Sequence, residues 1–129
     1  MSTDDDSKIV FDPIHGSIRI AGVYRQLMDR PEMQRIRNVK QLDMDCMVFP
    51  GANHTRFEHC LGVYHLSKRM ADNLGLSKED RDAVTAAGLL HDVCHHPFSH
   101  TLEEISVERL GMDHMDLARK LIMGDIHYI

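Results

Sequence analysis

The chain has 129 residues, 43% of them hydrophobic, and a formal net charge of -5 at pH 7. Length and apolar content suit one globular domain with its own core, while the negative charge argues against general nucleic-acid binding, which needs a basic face. Apolar runs fall far short of the roughly 18 to 20 residues of a membrane span, and the acidic start, with Asp4, Asp5 and Asp6, lacks a signal peptide's basic region, so a cytoplasmic protein with no membrane partner is expected.

Residues 1–7 read as a disordered polar tail, and residues 8–129 as one mainly α-helical domain that begins with a short β-hairpin. The hairpin runs are 8–12 and 17–21, around Pro13-Ile14-His15-Gly16. Apolar residues then recur at helical spacing, first Val23, Leu27 and Met28, then Met33, Ile36, Val39 and Leu42. Pro31 starts the second of these helices, where its missing N–H costs nothing. Residues 43–53 break the pattern with Asp43, Asp45, Pro50, Gly51 and Asn53 and form a loop. Thr55 and Glu58 make a capping box for a helix carrying Phe57, Leu61, Tyr64 and Leu74, which stops at Gly75. Ser77, with Glu79 and Asp80 behind it, opens another helix through Val84, Ala87, Gly88 and Leu90 into His91-Asp92, a run ended by Pro97. Two amphipathic segments, 101–110 and 114–123, flank Gly111. Cys46, Cys60 and Cys94 include no CxxC pair and are expected to be reduced thiols.

The histidines carry the chemistry. Four of the ten fall between His91 and His100. Imidazole nitrogen and carboxylate oxygen together suit divalent first-row metals, which singles out His59, His91 and Asp92. His59 lies on the stripe 59, 63, 66, 70 and His91 on the stripe 84, 87, 91, so two adjacent helices present both rings inward. Asp92, about 100° round an ideal helix from His91, reaches the same ion only where the helix ends. A lone inward histidine is more often a core residue bonded to backbone. A cluster that also holds Cys94, His95, His96, Ser99 and His100 is costly to bury without a function.

Three segments, Arg56-Phe57-Glu58-His59, Leu90-His91-Asp92 and His95-His96-Pro97-Phe98-Ser99-His100, resemble the HD-domain superfamily of metal-dependent phosphohydrolases. The pattern is similar, within that superfamily, to the deoxynucleoside triphosphate triphosphohydrolase branch related to the sterile-alpha-motif-and-HD-domain enzyme. The shared segments include Asp12-Pro13-Ile14-His15-Gly16, Lys40-Gln41-Leu42 and Val48-Phe49-Pro50-Gly51-Ala52, with His54 and Arg56 following. They run in order from about Lys8 to His114.

The resemblance implies an HD helical bundle that hydrolyses deoxynucleoside triphosphates to deoxynucleoside and tripolyphosphate by metal-activated water. One divalent ion (Fe, Mn, Zn, Ni or Mg) is implied on His59, His91 and Asp92. The family's fourth ligand, a second aspartate far downstream, has no counterpart, because Asp113, Asp116 and Asp125 lack its context. The domain is therefore expected to be the N-terminal part of a larger family core, or a protein whose metal completes its shell with water or a partner chain. His95 and His100 match phosphate-contacting and catalytic histidines, Glu103 the carboxylate behind His100, and His114 a further relay member. Arg56 and Gln41 match contacts to phosphate and sugar. His96 replaces a glycine common in the family, and Met115 a glutamate. Lys8, Asp29, Gln34 and Arg37 resemble a regulatory nucleotide site, which implies an activator of the GTP or dGTP type and a homo-oligomer. Two readings stay beside this one: hydrolysis of nucleoside monophosphates or other phosphoesters, and a metal- or nucleotide-binding module without turnover.

Overall fold

The structure, a computed structural model, describes residues 6–127. Strands β1 (Ser7–Asp12) and β2 (Gly16–Ala21) pair antiparallel from Ser7 opposite Ala21 to Asp12 opposite Gly16. The Asp12 carboxylate accepts the amides of Ile14 at 2.9 Å and His15 at 2.7 Å, and Gly16 takes the left-handed φ of 71° that closes the turn. β2 buries Ile18 and Ile20 and turns its alternate residues outward. Of the expected tail, residues 1–5 lie outside the described residues, and Ser7 belongs to β1 instead.

Helices α1 (Val23–Met28) and α2 (Pro31–Arg35) follow, with Pro31 at the first turn of α2. The helix expected to run on to Leu42 stops earlier. Ile36–Asn38 form a 3-10 turn, Val39 is extended, and Leu42 is exposed. The cause lies in the backbone pairing downstream. Lys40 bridges Thr55, the Gln41 amide bonds the His54 carbonyl, and the Arg56 amide bonds the Val39 carbonyl, so this stretch pins the base of loop 41–54 rather than continuing a helix.

α3 (Arg56–Asn73) starts on the capping box read from sequence: Thr55 Oγ1 accepts the Glu58 amide and Glu58 accepts the Thr55 amide. Gly75, at φ 63°, reverses the chain into α4 (Lys78–Leu90), which packs along α3 and is capped by Ser77. The core joins Ile18, Ile20, Met28, Met33, Ile36, Phe57, Leu61, Tyr64, Leu89 and Val93. α5 (Ser99–Leu110) and α6 (His114–Met123) complete the fold, separated by Gly111 at φ 66°. Among the described residues no helix is long and apolar enough to cross a membrane, and the three cysteines form no disulfide.

The two apolar stripes need correction. Leu66 and Met70 on α3, and Val84 and Ala87 on α4, are exposed, while the buried faces are Phe57, Cys60, Leu61 and Tyr64 on α3 and Thr85, Gly88 and Leu89 on α4. The close approach at Gly88 explains the rotation. A Cβ there would sit 2.5 Å from Ser67 Oγ and 3.3 Å from Val63 Cγ1, so Gly88 faces α3 and His91 comes to the edge of the seam.

Candidate metal centre

α4 ends at Leu90, and residues 91–94 turn, with the Val93 amide on the Leu90 carbonyl and the His95 amide on the Asp92 carbonyl. That early exit brings Asp92 round to the side of the two imidazoles. His59 Nε2 and His91 Nε2 are 3.2 Å apart, and the Asp92 carboxylate lies 3.7 Å from the first and 3.4 Å from the second. Two nitrogens bound at about 2.0–2.1 Å to a tetrahedral ion stand about 3.3 Å apart, so the spacing fits a shared cation.

The tautomers fit as well. His91 Nδ1 is 3.0 Å from the Gly88 carbonyl, which can only accept, so Nδ1 carries the proton and Nε2 offers its lone pair. Burial holds the His59 pKa below the usual histidine range, which keeps that ring neutral and able to ligate. Burial alone would push the Asp92 carboxyl up, but the hydrogen bond from Arg56 and its positive charge outweigh it and hold the group ionised.

Arg56 sits elsewhere than an open phosphate contact would. It is 2% exposed and its guanidinium reaches Asp92 Oδ2 at 2.6 Å, Ser99 Oγ at 2.9 Å and the Gln41 carbonyl at 3.3 Å. In this arrangement it orients the Asp92 carboxylate. Ser99, fully buried, entered the sequence reading only as a member of the 94–100 cluster, with no role of its own, and Arg35, whose Nη2 donates to the carbonyls of Val93 at 2.9 Å and His95 at 2.6 Å, was not singled out. Arg35 gave no sequence signal beyond its place in the basic stretch from Arg25 to Lys40.

Beside this centre runs a row of imidazoles. His95 is buried, its Nε2 is 3.6 Å from Asp92 Oδ1 with no hydrogen-bond partner, and its ring stacks on His114 with centroids 3.9 Å apart. Burial, then the charge of Arg56, pushes its pKa down to about 3, so His95 is neutral. Glu103 holds two rings at once. One oxygen bonds His114 Nδ1, and the other is 2.9 Å from His100 Nδ1. The His114 bond foremost keeps the Glu103 carboxyl down at about 2. His100 is largely exposed, and His114 Nε2 points back to Asp92 at 4.0 Å. The left-handed backbone of Phe98, at φ 60°, aims the start of α5 so that Ser99 faces Arg56 while His100 faces outward.

A cleft of about 370 Å³ opens against His59, with Asp12, His15, Gln41, His54 and Glu58 in its wall. Gln41 thus borders the metal centre. The four residues expected to form a regulatory site also lie together. Lys8 Nζ meets both Asp29 carboxylate oxygens at 2.7 Å, Gln34 bonds the Met28 carbonyl, and Arg37 bonds Gln34 and covers the Phe57 ring.

Comparison with known proteins gives a consistent picture. The family model described as HD domain matches residues 56–124, more than half the chain. Human deoxynucleoside triphosphate triphosphohydrolase SAMHD1 (Homo sapiens) is 42% identical over 106 residues, which cover 77% of this chain and 17% of SAMHD1. YwfO of Bacillus subtilis, described as uncharacterized, is 36% identical over 126 residues, 93% of this chain and 28% of its own. The crystal structure of a phosphohydrolase from Bacteroides thetaiotaomicron superposes with a TM-score of 0.83 at 36% identity, covering 92% of this chain and 30% of that one. The chain thus spans less than a third of each of these relatives.

Proposed function

The chain belongs to the HD domain family, and we propose that it forms the metal-binding part of a phosphohydrolase that cleaves deoxynucleoside triphosphates to deoxynucleoside and tripolyphosphate. The observation that carries this reading is the convergence of His59 Nε2, His91 Nε2 and the Asp92 carboxylate, with the His91 tautomer fixed by Gly88. What a divalent ion supplies when bound there is charge to polarise a phosphoryl oxygen and a nucleophilic water near neutral pH.

The remaining work falls to the protein's own groups. Glu103 fixes Nδ1 of His100, which leaves Nε2 free to deliver a proton to the departing nucleoside oxygen. His114, fixed by the other Glu103 oxygen, and neutral His95 line the path between His100 and Asp92 and serve phosphate oxygens as hydrogen-bond donors. The cleft beside His59 has room for the nucleoside half, with Gln41 against the sugar. The 42% identity to an enzyme named a deoxynucleoside triphosphate triphosphohydrolase supports this choice of substrate. On the same reading Lys8, Asp29, Gln34 and Arg37 receive an activating guanine nucleotide, and the protein works as a homo-oligomer in the cytoplasm.

The test is incubation of Mn²⁺-loaded protein with dGTP, followed by ion-exchange separation of the products. Tripolyphosphate and deoxyguanosine in equal amounts support the reading. Orthophosphate as the sole inorganic product refutes it in favour of another phosphoester substrate, and metal binding without turnover refutes it in favour of a binding module.

A further inference from the structure

The turn that carries the ligand Asp92 is held from two sides by two arginines of different elements. Arg56, at the start of α3, grips the carboxylate itself. Arg35, the last residue of α2, reaches the backbone, and its Nη2 donates to the carbonyls on either side of Cys94, Val93 at 2.9 Å and His95 at 2.6 Å. These carbonyls lie just past the end of α4, where the helix points its unbonded C=O groups and the negative end of its dipole. A guanidinium there makes charge-assisted bonds to groups that would otherwise repel one another.

We propose that Arg35 is a positioning residue for the metal centre: by tying the Val93 and His95 carbonyls to α2, it fixes the 91–95 turn in the conformation that directs Asp92 toward His59 and His91. The assignment rests on the metal-site reading above. The geometry favours it over a simple surface contact. His95, one of the two bonded residues, is fully buried, and its amide returns to the Asp92 carbonyl, so the backbone from Asp92 to His95 forms a closed loop with Arg35 across its open side. Cys94 points into the core, which leaves the turn no side-chain polar group of its own between Asp92 and His95 with which to hold those carbonyls. Both bonds come from the single Nη2, so a lysine ammonium at this position, with its charge and three donors, can supply them without the planar fork.

The experiment compares the wild type with Arg35→Met, close in length but without donors, and Arg35→Lys. Two quantities are read at a temperature where circular dichroism finds all three equally folded: Co²⁺ affinity with its visible spectrum, and amide hydrogen exchange at Val93 and His95. Loss of an outer contact that orients a ligand commonly weakens metal binding about 10- to 100-fold. Arg35→Met is expected to bind Co²⁺ at least about tenfold more weakly, with an altered band shape and faster exchange confined to the turn, and Arg35→Lys is expected to recover most of the affinity. Wild-type affinity and spectrum in Arg35→Met overturn the role while leaving the metal site standing. Faster exchange spread over α2 and α4 alike also overturns it, since that marks general destabilisation. A wild type that binds no Co²⁺ overturns the site reading, and this role with it.

Discussion

Replacing Arg56 by methionine separates the metal's electrostatic role from that of the fold. In the metal-free protein Arg56 compensates a carboxylate that is 4% exposed, and it is held by bonds of 2.6, 2.9 and 3.3 Å to Asp92, Ser99 and Gln41. Removing one partner of a buried ion pair costs about 3–5 kcal/mol, because the remaining charge stays buried without compensation. For a domain of this size roughly 3–5 °C of Tm accompanies each kcal/mol, so chelator-treated Arg56→Met is expected to melt about 9–25 °C below the wild type. With Mn²⁺ bound, the cation takes over much of the compensation of Asp92, and the cost shrinks toward the about 1–2 kcal/mol of the lost Ser99 and Gln41 bonds. Differential scanning calorimetry of both proteins, with chelator and with saturating Mn²⁺, reads the difference directly. Equal Tm losses with and without metal would refute the reasoning, and so would a metal-free loss under about 3 °C, the size expected of an exposed pair.

Three further outcomes follow from the same geometry. His91→Ala and Asp92→Ala are each expected to lower bound metal, measured by plasma mass spectrometry after dialysis against Mn²⁺, from about one ion per chain to background; retention of the ion sinks the proposed ligand set. The folded state keeps His95 neutral down to about pH 3, whereas the unfolded chain takes up that proton at the ordinary histidine pKa of 6.5. Unfolding therefore binds the extra proton, and metal-free stability falls as pH drops from about 6.5 toward 3, by up to about 1.4 kcal/mol per pH unit for this group. Urea midpoints at pH 7 and pH 5.5 should diverge less in His95→Gln, and parallel pH dependences contradict the assignment. Gly88→Ala pushes a methyl group against Ser67 and Val63. Ser67 Oγ can rotate away, but Ser67 Cβ at 3.2 Å and Val63 at 3.3 Å must give, so a loss of about 1–3 kcal/mol is expected in thermal unfolding, and an unchanged Tm contradicts the close seam.

The fold was legible where local rules agree. The Thr55–Glu58 box, Ser77, Gly75 and Gly111 set helix ends through bonds and φ values that the sequence signals encode. Legibility failed where a distant backbone partner intervened. Val39 and Leu42 continue the apolar period of Met33 and Ile36, yet the bridge from Lys40 to Thr55, fifteen positions on, pulls the chain out of the helix. Periodicity also misjudged the buried faces of α3 and α4, because it counts apolar residues and gives no weight to a glycine. Gly88 sets the interhelical contact through what it lacks, and that rotates His59 and His91 from the core to the edge of the seam.

That displacement makes the ligands usable. Rings packed at the centre of the bundle would face other side chains on all sides, whereas at the edge each is half-buried, the two Nε2 atoms face one another, and His59 borders the cleft. The candidate ligands could be picked out because donor chemistry belongs to residue types, and the helix end that brings Asp92 alongside could be inferred from Pro97 and the irregular residues before it. The supports were not readable. Arg56 stands next to the Phe57-Glu58-His59 run and was matched to a phosphate, yet an arginine at the first turn of a helix can point at solvent or across the seam with equal local propriety. The choice is made by Asp92 and Ser99, 36 and 43 residues away, and by Gln41 behind it. A buried guanidinium needs every donor answered, and only the assembled turn of 91–99 with loop 41–54 supplies that many acceptors. Arg35 was no more readable, since the acceptors of its Nη2 are backbone carbonyls that no sequence pattern marks.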